Sequence, residues 1–177
     1  MAATRVISIV GKKDSGKTSL VVALASEWVK RGRRVATIKH GAHPAEVDKP
    51  GTDTHRHYTE GMAGKVLMEF PGGRVLFERT TAQAEDPLAL VRRYLDDADI
   101  VVVEGYKKAP LPKIEVHRKS KHREPLFNPA GGDAAQWVAM VTDDDQLRVS
   151  VPTFRFTDTG WLVTLAQLAW DRAVVVP

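Results

Sequence analysis

The chain has 177 residues, no cysteine, and 26 Lys and Arg against 22 Asp and Glu, a net charge of +4. That length suits one ordinary domain with a real core, and the missing thiols exclude disulfide frameworks, thiolate metal sites, iron–sulfur ligation and cysteine nucleophiles. The basic excess suits an anionic small ligand but is too diffuse for a nucleic-acid binder, and neither a signal peptide nor a run of about 18 apolar residues is present, so a soluble cytoplasmic protein that engages no membrane is expected.

The chain opens with an apolar, β-rich run, Val6–Val10, that stops at Gly11. After a polar loop, Leu20, Leu24 and Trp28 recur at helical spacing between Thr18 and Arg31, and Gly32 follows a basic last turn, as at a helix end. Val35–Ile38 is the next strand, which completes a βαβ unit with parallel strands. A polar stretch rich in His, Gly and Pro from His40 to about Thr54 leads into a short helix ending near Gly61. Lys65–Phe70 and Arg74–Glu78 flank Pro71-Gly72-Gly73 as a hairpin. Asp86–Leu95 reads as a helix with Pro87 in its first turn, and Ile100–Val103 as a strand buried on both faces. Residues 105–135 are irregular, with a single strand at Lys113–His117, and so form a candidate functional segment. Strands at Trp137–Val141 and Thr153–Phe156 and a helix from about Asp158 complete the chain. The alternation predicts a single α/β domain over residues 1–177, with a mostly parallel sheet and helices on both faces.

Gly11-Lys12-Lys13-Asp14-Ser15-Gly16-Lys17-Thr18 matches the phosphate-loop pattern GxxxxGK[ST], between a buried strand and an amphipathic helix. The glycines let successive N–H groups turn inward around a phosphate, and the helix beginning near Lys17 adds its positive end. Lys17 would reach the β- and γ-phosphates, and the Thr18 hydroxyl would take a magnesium position. A glycine turn with a surface lysine is the bland alternative. In a parallel sheet the ligand lies beyond the carboxyl ends of the strands, which singles out Glu104 after Val101–Val103 and Asp48 in the loop after the second strand as magnesium carboxylates. Otherwise they are a solvated strand-end acid and a turn aspartate.

Three blocks, GKKDSGKTSL, TIKHGAHPAEVDKPGTDTHRHYTEGMAG and VVVEGYKKAPLPKIEVHR, resemble the molybdopterin-guanine dinucleotide biosynthesis protein B (MobB) family over roughly residues 4–118. The resemblance implies a dimeric, GTP-binding protein of the P-loop NTPase fold. Its implied role is an adapter in molybdenum cofactor synthesis, assisting the molybdopterin guanylyltransferase (a MobA-type protein) that joins GMP to molybdopterin. It places Gly11, Asp14, Ser15, Gly16, Lys17, Thr18 and Ser19 at the nucleotide phosphates. Lys39, His40, Asp48 and Lys49 fall in its second block, and Glu104 and Gly105 in its third. Lys17 and Glu104 are the residues expected to act in any hydrolysis. Lys12, Lys13 and Asp14 depart from a family loop that is usually rich in Gly and Ser.

No NKxD guanine signature occurs, but Asp143 opens an acidic turn after the Trp137–Val141 strand. A carboxylate there could accept the N1–H and 2-amino hydrogens of guanine, or could simply belong to a turn. His40, His43, His55 and His57 lie beside Asp48 and Asp53 without a tight metal spacing, so phosphate or pterin recognition by His40 is the preferred reading. No glutamine or arginine finger stands within the motifs, so hydrolysis is expected to be slow. Rival functions are an ATP-dependent small-molecule kinase, with its acceptor at residues 105–135, and a metallochaperone GTPase using the histidine loop. Lys39, His40, Lys49, Lys107, Lys108 and Lys113 are expected to form a cationic rim for the phosphate of molybdopterin or its guanine dinucleotide.

Overall fold

The computed structural model describes residues 3–41, 48–80 and 85–177; His43 lies outside them. The chain forms two compact units, Met1–His40 with Asp86–Pro177, and Gly41–Glu85. The first begins with β1 (Thr4–Val10), α1 (Lys17–Lys30) and β2 (Val35–Lys39). The second holds α2 (Asp53–Thr59) and the antiparallel hairpin β3 (Lys65–Phe70) and β4 (Gly73–Glu78). The first unit then resumes with α3 (Pro87–Tyr94), β5 (Ile100–Glu104), β6 (Lys113–His117), β7 (Trp137–Thr142), β8 (Thr153–Arg155), α4 (Trp161–Arg172) and β9 (Val174–Val176).

The main sheet runs β2-β5-β1-β6-β7-β8, every neighbour parallel. Residue alternation along its central strands feeds two cores. Ile7, Ile9, Ile100, Val102, Ile114 and Val116 pack under α1 and α4 with Leu24, Trp28 and Leu165. Val6, Val101 and Val103 face the other way, toward Val91 of α3. Each such large apolar side chain contributes about 1.5–3 kcal/mol by leaving water. Helices therefore cover both faces, as the alternation of elements predicts.

Two elements differ from expectation. β9 pairs antiparallel with Thr4–Val6 while β6 pairs with Ser8–Val10, so the two strands share one edge of β1. A three-residue strand carries too little periodicity to be seen in advance. The last helix begins at Trp161 rather than near Asp158. The Asp158 carboxylate accepts the Arg155 N–H at 2.9 Å in a turn, and Gly160 adopts φ 71° before the helix starts. Among the described residues no helix is long and apolar enough to cross a membrane.

Candidate functional site

β1 ends at Val10, and the loop behind it is shaped by backbone conformations that few side chains permit. Gly11 has φ +156°, and a Cβ there would lie 2.5 Å from both the Ser15 Oγ and the Val116 carbonyl oxygen. Asp14 sits in the left-handed region at φ 60°, which a short polar side chain tolerates. Gly16, at φ 99°, is the residue from which α1 starts. The Ser15 hydroxyl is buried and has no hydrogen-bond partner among the described residues.

β5 lies beside β1 with Glu104 opposite Ile9, and β2 lies beside β5 with Lys39 opposite Glu104. This register brings three predicted residues together. The Thr18 hydroxyl lies 3.0 Å from each Glu104 carboxylate oxygen, and the Lys39 ammonium is 3.5 Å from Oε1. Glu104 is 8% exposed, so its charge faces a restricted solvent volume. The Lys17 ammonium donates to the Lys12 carbonyl at 2.8 Å. Burial pushes its pKa down, and Lys107 and Lys39 add to that, while Glu104 and Asp14 oppose it. Lys13, Asp14, Gly16, Lys17, Thr18, Ser19 and Glu104 line a cavity of about 460 Å³.

An orphaned buried hydroxyl, a cradle that a Cβ would block and a helix N-terminus fit a phosphate group. A hydroxyl beside a carboxylate is a hard-oxygen donor pair that fits magnesium. Gly105 (φ +98°) follows Glu104 and donates its N–H to the Ile9 carbonyl, and a Cβ added there would lie 3.4 Å from the His40 Cβ. The His40 N–H donates to the Glu104 carbonyl at 3.0 Å, and its ring lies 4.7 Å from that of Tyr106.

Asp48 and Lys49 belong to the second unit. There the Asp48 carboxylate accepts from the Thr54 and Thr52 hydroxyls and the Lys49 N–H, which hold its pKa below the ordinary value. His55 and His57 lie on α2, and the described residues contain no group of three or more side chains placed to hold a metal.

Asp143 does not line the cavity. Its carboxylate accepts the Lys119 N–H at 2.8 Å and lies 3.8 Å from Arg118. Lys113 is not on the rim: it opens β6 at the end away from the carboxyl-end loops, and it is 1% exposed, bonded to Gln136 and 3.8 Å from Asp133 of the segment that closes over the strand. Lys107 and Lys108 are exposed.

The basic run after β6 has a role that its composition did not reveal. The Arg118 Nε donates to the Ser15 carbonyl at 3.3 Å, the His122 Nε2 to the Lys13 carbonyl at 2.6 Å, and the Lys12 ammonium to the Glu124 carbonyl at 2.6 Å. These contacts strap residues 118–124 to the phosphate loop. Below them Glu115, 1% exposed, accepts the Leu126 and Phe127 N–H groups.

The family described as molybdopterin guanine dinucleotide synthesis protein B matches residues 6–143. A molybdopterin-guanine dinucleotide biosynthesis adapter protein of Haemophilus influenzae is 35% identical over 119 residues, 64% of this chain and 63% of that protein. Its Escherichia coli counterpart is 30% identical over 113 residues, 63% of this chain and 64% of that one. The aligned region thus spans less than two thirds of either relative. A solved structure of molybdopterin-guanine biosynthesis protein B superposes with a TM-score of 0.66 at 26% identity, covering 94% of this chain and 97% of that one. A MobB homologue from Bacillus stearothermophilus shares the fold, with a TM-score of 0.64 at 24% identity over 94% of this chain and 99% of that one. With the P-loop cradle, the strand-end carboxylate and a family match across most of its length, this chain belongs to the molybdopterin guanine dinucleotide synthesis protein B family.

Proposed function

We propose that the protein is a GTP-binding adapter in the synthesis of molybdopterin guanine dinucleotide, working with a molybdopterin guanylyltransferase. The observation that carries this reading is the Thr18–Glu104 pair at the mouth of the phosphate cradle, in a chain of this family. The relatives named as adapters in that synthesis support the pathway.

In this reading the nucleotide phosphates take the Lys17 ammonium from the Lys12 carbonyl, exchanging a neutral acceptor for a charged one. The loop N–H groups and the α1 N-terminus hold the β-phosphate without needing to move. Thr18 and Glu104 would hold magnesium, whose charge offsets that of the β- and γ-phosphates when bound. In this reading hydrolysis is slow and the protein binds nucleotide rather than turning it over. Lys39 and Lys107 supply exposed positive charge near the cradle for a second, phosphorylated ligand such as molybdopterin. A homodimer in the cytoplasm completes the proposal.

Calorimetric titration of GTP and ATP, each with and without magnesium, tests it. Tighter binding of GTP than ATP, strengthened by magnesium, is the expected result. Equal affinity for ATP, with transfer of its γ-phosphate to a small molecule, would replace the adapter by a kinase.

A further inference from the structure

The cradle has a direction. Thr18, Glu104 and Lys39 lie toward β5 and β2, so a terminal phosphate and its cation belong on that side. The ribose and base of a nucleotide must then leave on the other side. There the sheet order sets the carboxyl ends of β6, β7 and β8 next to one another.

Arg118, the first residue after β6, connects all three ends. Its Nε reaches the Ser15 carbonyl at 3.3 Å, its Nη1 lies 3.8 Å from the Asp143 carboxylate after β7, and its guanidinium carbon stands 4.0 Å from the ring centroid of Phe156 after β8. Phe156 is itself fixed edge-on to Trp161 at 5.7 Å and packs on the main core. The Lys119 N–H holds the Asp143 carboxylate from behind at 2.8 Å. A guanidinium is planar, and this one lies over the Phe156 ring. About a third of the Arg118 side chain stays open to solvent.

We propose that Arg118 is the platform for the nucleobase. The purine stacks on the guanidinium face away from Phe156, and Asp143 at its edge accepts the N1–H and 2-amino hydrogens that guanine has and adenine lacks. The phosphate loop and the base site are thereby tied through one side chain. This inference rests on the reading of the cradle as a nucleotide site.

Calorimetry with GTP and with inorganic tripolyphosphate, on wild type, Arg118→Lys and Asp143→Asn, separates the two levels. Thermal denaturation checks that each variant is folded. Arg118→Lys keeps the charge and loses the planar face, so GTP binding should weaken on the order of tenfold while tripolyphosphate binding stays within about twofold. Asp143→Asn should weaken GTP and favour xanthosine triphosphate, whose 2-oxo group accepts from an amide. Equal losses for GTP and tripolyphosphate in Arg118→Lys would make Arg118 a phosphate contact or a scaffold only, and unchanged GTP binding would remove it from the site. An Asp143→Asn protein with unaltered base preference would overturn the edge contact. Wild type that binds tripolyphosphate but not GTP would sink the platform alone, whereas wild type that binds neither would end the nucleotide reading as well.

Discussion

The Thr18 hydroxyl sits equidistant, at 3.0 Å, from the two carboxylate oxygens of Glu104, 86 positions away in the chain. The pairing joins the first turn of α1 to the last residue of β5, and the parallel register of β1 and β5 makes it possible. One hydroxyl hydrogen shared over two acceptors leaves the carboxylate with spare lone pairs for a cation.

Glu104→Gln should therefore abolish most of the magnesium-dependent gain in nucleotide affinity. The metal-free affinity should stay within about threefold, because the amide oxygen still accepts from Thr18. Parallel titrations with magnesium and with chelator measure both. An undiminished magnesium effect in this variant would take Glu104 out of the metal site.

Lys17→Ala should cost roughly ten- to a hundredfold in triphosphate affinity, the range for losing a hydrogen bond to a charged group. Stability should change little, since the ammonium donates to a loop carbonyl, that of Lys12, and is not packed in the core. Burial depresses this lysine from its ordinary 10.5, so its charge is lost at lower pH than that of a typical lysine. Affinity should accordingly decline with rising pH before 10.5 is reached, and that decline should be missing in the alanine variant.

Gly11→Ala places a methyl 2.5 Å from a backbone carbonyl that cannot rotate away. We expect a loss of about 1–3 kcal/mol, read as a fall of several degrees in melting temperature, with triphosphate binding strongly reduced. A variant that melts and binds like wild type would mean that the loop has another accessible path.

Glu115→Ala strands the Leu126 and Phe127 N–H groups inside the protein, at a cost of about 1–3 kcal/mol each. Burial raises the Glu115 pKa above its ordinary 4.5. The folded state then binds its proton more tightly than the unfolded state. Its contribution to stability is full below 4.5 and declines as pH rises through the window from 4.5 up to the raised folded value. In Glu115→Gln this component of the pH dependence should vanish from denaturant unfolding curves.

The phosphate loop was legible in the sequence because its chemistry is local. Glycine conformations, the lysine and hydroxyl at fixed offsets and the start of an amphipathic helix all lie within eight consecutive residues, Gly11 to Thr18. Glu104 was reachable as well, since the end of a buried parallel strand is a place that topology assigns. Most strands fell within a residue of their predicted bounds for the same reason: their apolar runs are continuous and end at polar or turn residues.

Other features depended on which side chains the fold sets against one another. Lys113, Glu115 and His117 alternate along β6 as an exposed polar face would, yet all three are buried, because the irregular segment after the strand closes over them. Period-two spacing states which residues share a face, not what covers it. Arg118 opens a basic stretch, Arg118 to Arg123, that borders the irregular segment. Its contacts with Ser15, Asp143 and Phe156 join positions 103, 25 and 38 residues away, arithmetic that no local pattern encodes. The sequence by itself determined the phosphate chemistry and the alternation of elements, because hydrogen-bond donors, backbone freedom and hydrophobic period are properties of short segments. Only the tertiary structure decided which charges meet, because strand order and loop closure fix distances between residues that the chain keeps far apart.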